Sequence, residues 1–203
     1  VRHAVRGTKG LGAEETGRVL DAAGWGELFA DAGPLAPLFA AKRGAARALI
    51  AAVRDALDAV PGPRRLLEPQ AFPPPFHRIS GFPLGDLAGV ADRIGIKLYT
   101  MHWPMIARYW ARDLAGGTDS AALDALTAAI AQRFGFTDVL ADGARLRYPE
   151  PHEAHPVGAS AQRAKLRAAQ AAAAGVPITA FVHSYGPVAD VVARLALAEE
   201  AGT

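Results

Sequence analysis

The chain has 203 residues, 51% of them hydrophobic and 21% charged, with a net charge of +2, a balance that gives one domain a sizeable core and excludes a disordered or fibrous chain. The sequence pI is near 9.2, but the arginines are scattered along helical stretches and form no basic block, so nucleic acid is not an expected partner. Cysteine is absent, which excludes disulfides and thiolate metal sites, and no apolar run reaches the roughly 18 residues that span a bilayer, so no membrane partner is expected.

In chain order, residues 1–33 read as short helical pieces broken by glycines. Residues 34–60 place Leu35, Leu38, Phe39, Leu49, Ile50, Val53 and Leu57 at helical spacing, a long helix or helix pair that Pro61-Gly62-Pro63 stops. Residues 1–62 thus form a helical segment ahead of the first strand. That strand is expected at 65–68: Pro69 cannot donate to a ladder, so the strand should end near Glu68 and residues 70–78 should form a proline-rich rim loop. A short helix is expected over 84–94, with Leu87, Val90 and Ile94 inward and Gly95 as its stop, followed by a strand at 96–101. Pro104 suits the first turn of a helix over 105–114. Asp119 and Ser120 can cap a helix reaching Phe134, Thr137 and Asp138 can begin a further turn, and 142–159 reads as loop. A helix over 160–174 ended by Gly175, a strand at 177–182 and a helix over 188–201 complete the chain.

Helices between successive strands make those strands parallel, so the fold class is α/β. An eight-stranded barrel takes about 250 residues. Three strands therefore read as a partial (β/α) barrel with parallel strands, truncated at both ends and covering residues 1–203, the alternative being a small open sheet with its own helical cap.

Two segments share one plan. Ile96 to Pro104 and Pro177 to Pro187 each run from a β-prone stretch into a histidine, an aromatic and a proline, then into an amphipathic helix. Ligands of α/β folds bind at the carboxyl ends of the strands, which makes His102, Trp103, His183 and Tyr185, together with Tyr99, candidate binding residues. The rim loop after the first strand adds Gln70 and His77. Neutral imidazole both donates and accepts hydrogen bonds, as sugar hydroxyls require, and aromatic faces can stack on the C–H face of a pyranose. Trp110 and Tyr109 lie within a helix and read as packing; Glu150 and Glu153 read as a solvated loop.

The runs Leu98-Tyr99-Thr100-Met101-His102-Trp103-Pro104-Met105-Ile106, Ala180-Phe181-Val182-His183-Ser184-Tyr185-Gly186 and Glu68-Pro69-Gln70-Ala71-Phe72-Pro73-Pro74-Pro75 resemble the later strands of bacterial glycosyl-hydrolase-like (β/α)8 barrels. The resemblance covers residues from about Arg65 onward. It implies a barrel whose earlier strands precede Val1 and whose last strand follows Thr203, the remainder of the barrel being missing from this chain, and a carbohydrate substrate or ligand at the rim. Glycoside hydrolysis needs two carboxyl groups. Glu68, the one carboxylate in an expected strand, is the candidate catalytic residue. Two alternatives stand beside a hydrolase: a non-catalytic carbohydrate-binding or structural barrel, and a metal-dependent hydrolase using His77, His102 and His183. No local ligand pair fixes a metal, so none is assigned, and no Gly-x-Gly-x-x-Gly or Walker-type loop is present, so no cofactor is expected.

Overall fold

The computed structural model describes residues 1–8, 10–30, 32–116, 120–137 and 142–202. Three strands, β1 (Gln70–Ala71), β2 (Ile94–Leu98) and β3 (Ile178–Val182), form one parallel sheet in the order β1-β2-β3. Gln70 stands opposite Gly95, and Ile94 opposite Ile178. Helix α4 (Phe76–Ser80) lies between β1 and β2, while α5 (His102–Ala115), α6 (Ser120–Arg133) and α7 (Ala159–Ala172) form the long crossover from β2 to β3. Helix α8 (Val188–Glu200) follows β3. The class is α/β; among the described residues β1 and β3 are open edges, and the strands close into no barrel.

The two faces of the sheet differ, and that difference positions the site. On β2 the alternation puts Ile94, Ile96 and Leu98, all fully buried, on one face. Helix α7 packs against β2 and β3, and α8 packs against β3. The other face carries Gly95, Lys97 and, just past the strand, Tyr99. A Cβ placed on Gly95 would meet the Phe181 ring at 2.5 Å and Gln70 Cγ at 3.1 Å, so β1 and β3 turn Gln70 and Phe181 to this same side. Lys97, Tyr99, Thr179 and Phe181 are each only half-buried, and Tyr99 and Phe181, unlike Ala180 and Val182, do not pack against the hydrophobic core.

Ahead of the sheet come α1 (Arg2–Val5), α2 (Ala13–Ala22) and α3 (Ala36–Asp58), the last a single continuous helix. Buried Arg54 on α3 donates to Asp58 at 3.0 Å, to the Arg65 carbonyl at 2.8 Å and to Asp92 at 3.3 Å. Asp92 also accepts from the Leu67 amide at 2.8 Å. One guanidinium thus fastens α3 to both chains that lead into β1 and β2. An aromatic core joins the helices: Trp25 meets Phe134 at 5.6 Å, Phe134 meets Phe76 at 5.1 Å, Phe76 stacks on Phe136 at 5.0 Å, and Phe136 stacks on Trp103 at 5.5 Å.

Several boundaries depart from the sequence expectation. The first strand is not 65–68 but Gln70–Ala71: the Gly95 amide donates to the Pro69 carbonyl at 3.0 Å, so the proline opens the ladder instead of ending it. Gln70 therefore sits in a strand and not in a rim loop. The helix expected over 84–94 is a series of turns, broken where Gly89 takes a positive φ of 77°, and Ile94 and Gly95 belong to β2. Helix α5 starts at His102, three residues earlier than expected, with Pro104 still in its first turn, where no amide partner is needed. Asp119 and Asp138, invoked as helix starts, lie outside the described residues.

Candidate functional site at the strand exits

The carboxyl ends of β2 and β3 deliver a continuous set of rings. Tyr99 follows β2 directly and meets the His183 ring edge-to-face at 5.2 Å and the His102 ring at 5.9 Å. His102 meets Tyr148 at 5.7 Å, and Tyr148 meets Tyr185 at 5.2 Å. The two histidines thus share one rim and one tyrosine. His183 is exposed and accepts the Tyr185 amide on Nδ1 at 3.1 Å, which leaves the proton of its neutral form on Nε2. His102 is partly buried, and that burial, with the neighbouring His183 second, holds its pKa below the ordinary imidazole value. Two imidazoles, one exposed and one partly buried, are what this rim offers.

A buried polar clamp holds the rim from below. Arg194, 2% exposed on α8, ion-pairs with Asp190 and donates to the His183 carbonyl at 3.2 Å, the Tyr185 carbonyl at 2.8 Å and His155 Nδ1 at 2.8 Å. A guanidinium only donates, so Nδ1 of His155 is an acceptor. The Thr100 hydroxyl lies 2.7 Å from the same nitrogen. Burial, with the charge of Arg194 second, lowers the His155 pKa to about 4, so the ring stays neutral and keeps this acceptor. The clamp thereby ties the exit of β2, the loop around His155 and the exit of β3 to α8. Tyr185 closes the arrangement by donating its hydroxyl to the Pro149 carbonyl at 2.8 Å.

Two of the carboxylates around the rim are already engaged. Glu153 accepts the Glu150 amide at 2.8 Å and pairs with Arg147 at 2.8 Å, which together hold its pKa below the usual carboxylate range. Asp190 pairs with Arg194. An open cleft of about 460 Å³ between Arg145, Arg147, Glu153 and His155 adjoins this loop.

Of the residues singled out in the sequence, Tyr99, His102, His183 and Tyr185 come together, and Gln70 lies on the open sheet face leading to them. Three do not join them. Trp103 is fully buried beneath Phe136 with its indole nitrogen unpartnered among the described residues, so it is core and cannot stack on a ligand. His77 lies on α4 and lines a separate cavity of about 340 Å³ with Arg43, Arg78 and Phe82; burial, then Arg78, lowers its pKa to about 4. Glu68 precedes Pro69 at the amino end of the sheet. By register it stands near Arg93, roughly 16 Å along the strand from the exit at Leu98. One of its carboxylate oxygens is buried without a hydrogen-bond partner among the described residues. Arg64 and Arg65, its sequence neighbours, bind Asp92 and the Val60 carbonyl instead.

Among the described residues no three His, Cys, Asp or Glu side chains are grouped to hold a metal ion, and His77 in particular stands apart from His102 and His183. No helix is long and apolar enough to cross a membrane. Comparison with protein-family models, with curated proteins and with solved structures gives no match.

Proposed function

We propose that the strand-exit cluster binds carbohydrate, and that the three-stranded sheet is one wall of a glycoside hydrolase-like (β/α) barrel whose interior is lined by the half-buried face of Lys97, Tyr99 and Phe181. The observation that carries the reading is the convergence of His102 and His183, from adjacent parallel strands, on the partly exposed ring of Tyr99. Two imidazoles supply hydrogen-bonding groups for sugar hydroxyls, and Tyr99, Tyr148 and Tyr185 supply faces for the apolar side of a pyranose. The barrel reading is supported by a half-buried face that is neither apolar enough to be a core nor polar enough to be ordinary surface, with the core packed on the opposite face of β2.

Within this chain the rim is equipped for recognition. Hydrolysis requires two carboxyl groups flanking the bond; Glu153 and Asp190 are committed to arginines, Glu68 lies at the other end of the strands, and Glu150 supplies at most one carboxylate to the rim. That favours a carbohydrate-binding role for these residues over catalysis by Glu68.

Calorimetric titration with a panel of monosaccharides and short oligosaccharides tests this. Tyr99→Ala and His102→Ala should each weaken binding by about 5- to 50-fold, the range of one lost stacking or hydrogen-bonding contact. Trp103→Phe and Glu68→Gln should leave affinity unchanged. Undiminished affinity in both rim variants refutes the site, and a fall in turnover by orders of magnitude in Glu68→Gln at constant affinity would restore Glu68 to the chemistry.

A further inference from the structure

On the open sheet face one side chain is out of character. Lys97 sits in the middle strand, opposite Phe181, and is half-buried. Its ammonium lies 5.5 Å from the centroid of the Phe72 ring and 5.9 Å from that of Tyr99. Among the described residues it forms no ion pair. The other strand residues of this face, Gln70, Gly95, Thr179 and Phe181, are uncharged.

The two aromatic faces attract the half-buried ammonium but leave its charge unneutralised. None of the nearby carboxylates pairs with it: Glu68 stands four strand positions behind it, roughly 13 Å along the sheet, Glu153 and Asp190 hold Arg147 and Arg194, and Glu150 lies in the loop beside Arg147 and Tyr185. The nearby rim groups, His102 and His183, bring no negative charge. The face therefore presents one unneutralised positive charge beside the ring on which a sugar would stack.

We infer that Lys97 anchors the carboxylate of an acidic saccharide, so that the ligand class of the site is sugars of the uronate type. This rests on the carbohydrate-binding reading of the rim. The pyranose lies against Tyr99, its hydroxyls meet His102 and His183, and its exocyclic carboxylate takes the place beside Nζ that no protein acid fills. Sequence inspection passes over Lys97 because one lysine in an apolar strand reads as a surface position.

The test is calorimetric titration of the whole protein with D-glucuronate, D-galacturonate, D-glucose, glucose 6-phosphate and acetate, repeated for Lys97→Met and Lys97→Arg. The uronates should bind at least tenfold more tightly than glucose, and raising the salt concentration should weaken the uronates alone. Lys97→Met should lose at least tenfold toward the uronates with less than a twofold change toward glucose, and Lys97→Arg should stay within about threefold of the parent, since a charge-assisted hydrogen bond contributes about 1.5–3 kcal/mol. Thermal unfolding of each variant shows that the fold is kept; if Lys97→Met does not fold, Lys97→Gln takes its place. Equal binding of glucose and uronates, or full uronate affinity in the folded uncharged variant, overturns the role of Lys97 and leaves the sugar site standing. Tighter binding of glucose 6-phosphate than of either uronate overturns the carboxylate class, and acetate binding as well as the uronates overturns the sugar requirement. If no saccharide binds, the rim reading itself fails and takes this inference with it.

Discussion

Replacing Arg194 with Met keeps the apolar stem and removes the charge from the centre of the clamp. Arg194 is 2% exposed, and it serves the Asp190 carboxylate, the carbonyls of His183 and Tyr185, and His155 Nδ1. The substitution leaves a partly buried carboxylate and several acceptors without their donor. Removing one partner of a buried ion pair costs about 3–5 kcal/mol, and in a domain of this size each kcal/mol shifts Tm by about 2–4 °C. Arg194→Met should therefore lower Tm by roughly 6–20 °C. The internal control is Arg163→Met: Arg163 pairs with Glu200 at 2.7 Å, but the two side chains are 41% and 60% exposed, so the loss should stay below about 1 kcal/mol. Urea unfolding followed by circular dichroism measures both, with the slope checked for a common unfolded state. A loss below about 1 kcal/mol in Arg194→Met would refute the clamp as a stabilising element. A large loss in both variants would refute the claim that burial decides the difference.

Gly143 approaches α6 so closely that a Cβ would lie 1.8 Å from the Asp124 carbonyl oxygen, and backbone cannot swing aside, so Gly143→Ala should cost at least about 3 kcal/mol by chemical denaturation. Gly44, exposed inside α3 with nothing near its Cβ position, should gain up to about 1 kcal/mol as Ala. His77 and His155 both have pKa values lowered from 6.5 to about 4, so the folded protein binds fewer protons than the unfolded chain between those values. Their contribution to stability is constant above pH 6.5 and falls as pH drops toward 4. Unfolding near pH 5 should take up about one proton per histidine, and His155→Gln should remove one of the two, as measured by the pH dependence of the unfolding free energy; a pH-independent stability between 4 and 6.5 would refute the buried neutral rings.

The parallel sheet was legible because helices between β-prone segments allow few other arrangements, and the shared His-aromatic-Pro plan correctly brought His102 and His183 to one rim. The errors were local. Pro69 was read as a terminator because it lacks an N–H, yet the ladder uses its carbonyl, and proline retains that acceptor. Gly95 was read as a helix stop because glycine often is one; here it leaves room for the Phe181 ring inside a strand. Trp103 was read as a rim aromatic from its place beside His102. Successive helical positions point in different directions, so placing His102 at the site aims its neighbour into the core.

The residues that hold the rim were harder to find, and for a different reason. His155 sits in a loop of prolines and glutamates that has every mark of solvated chain, and Arg194 lies on a helix whose neighbours Val192 and Leu195 are exposed. Neither periodicity nor a motif marks them, because their partners are backbone carbonyls and a histidine 39 residues away, positions fixed only once α8 lies against β3. Lys97 is the exception. Strand alternation places it on the same side as Tyr99, two residues before the ring that the histidines share, and the opposite parity of Ile94, Ile96 and Leu98 assigns the core to the other face. The lysine was therefore visible in the period-2 pattern, where a single charge on the lined face of a parallel sheet has no helix to bury it and no solvent helix face to hide it. In that setting an unneutralised charge points to a charge on the ligand, which is why the preference of the proposed sugar site for acidic over neutral saccharides, more than the identity of any one hydroxyl contact, decides whether Lys97 has the role inferred for it.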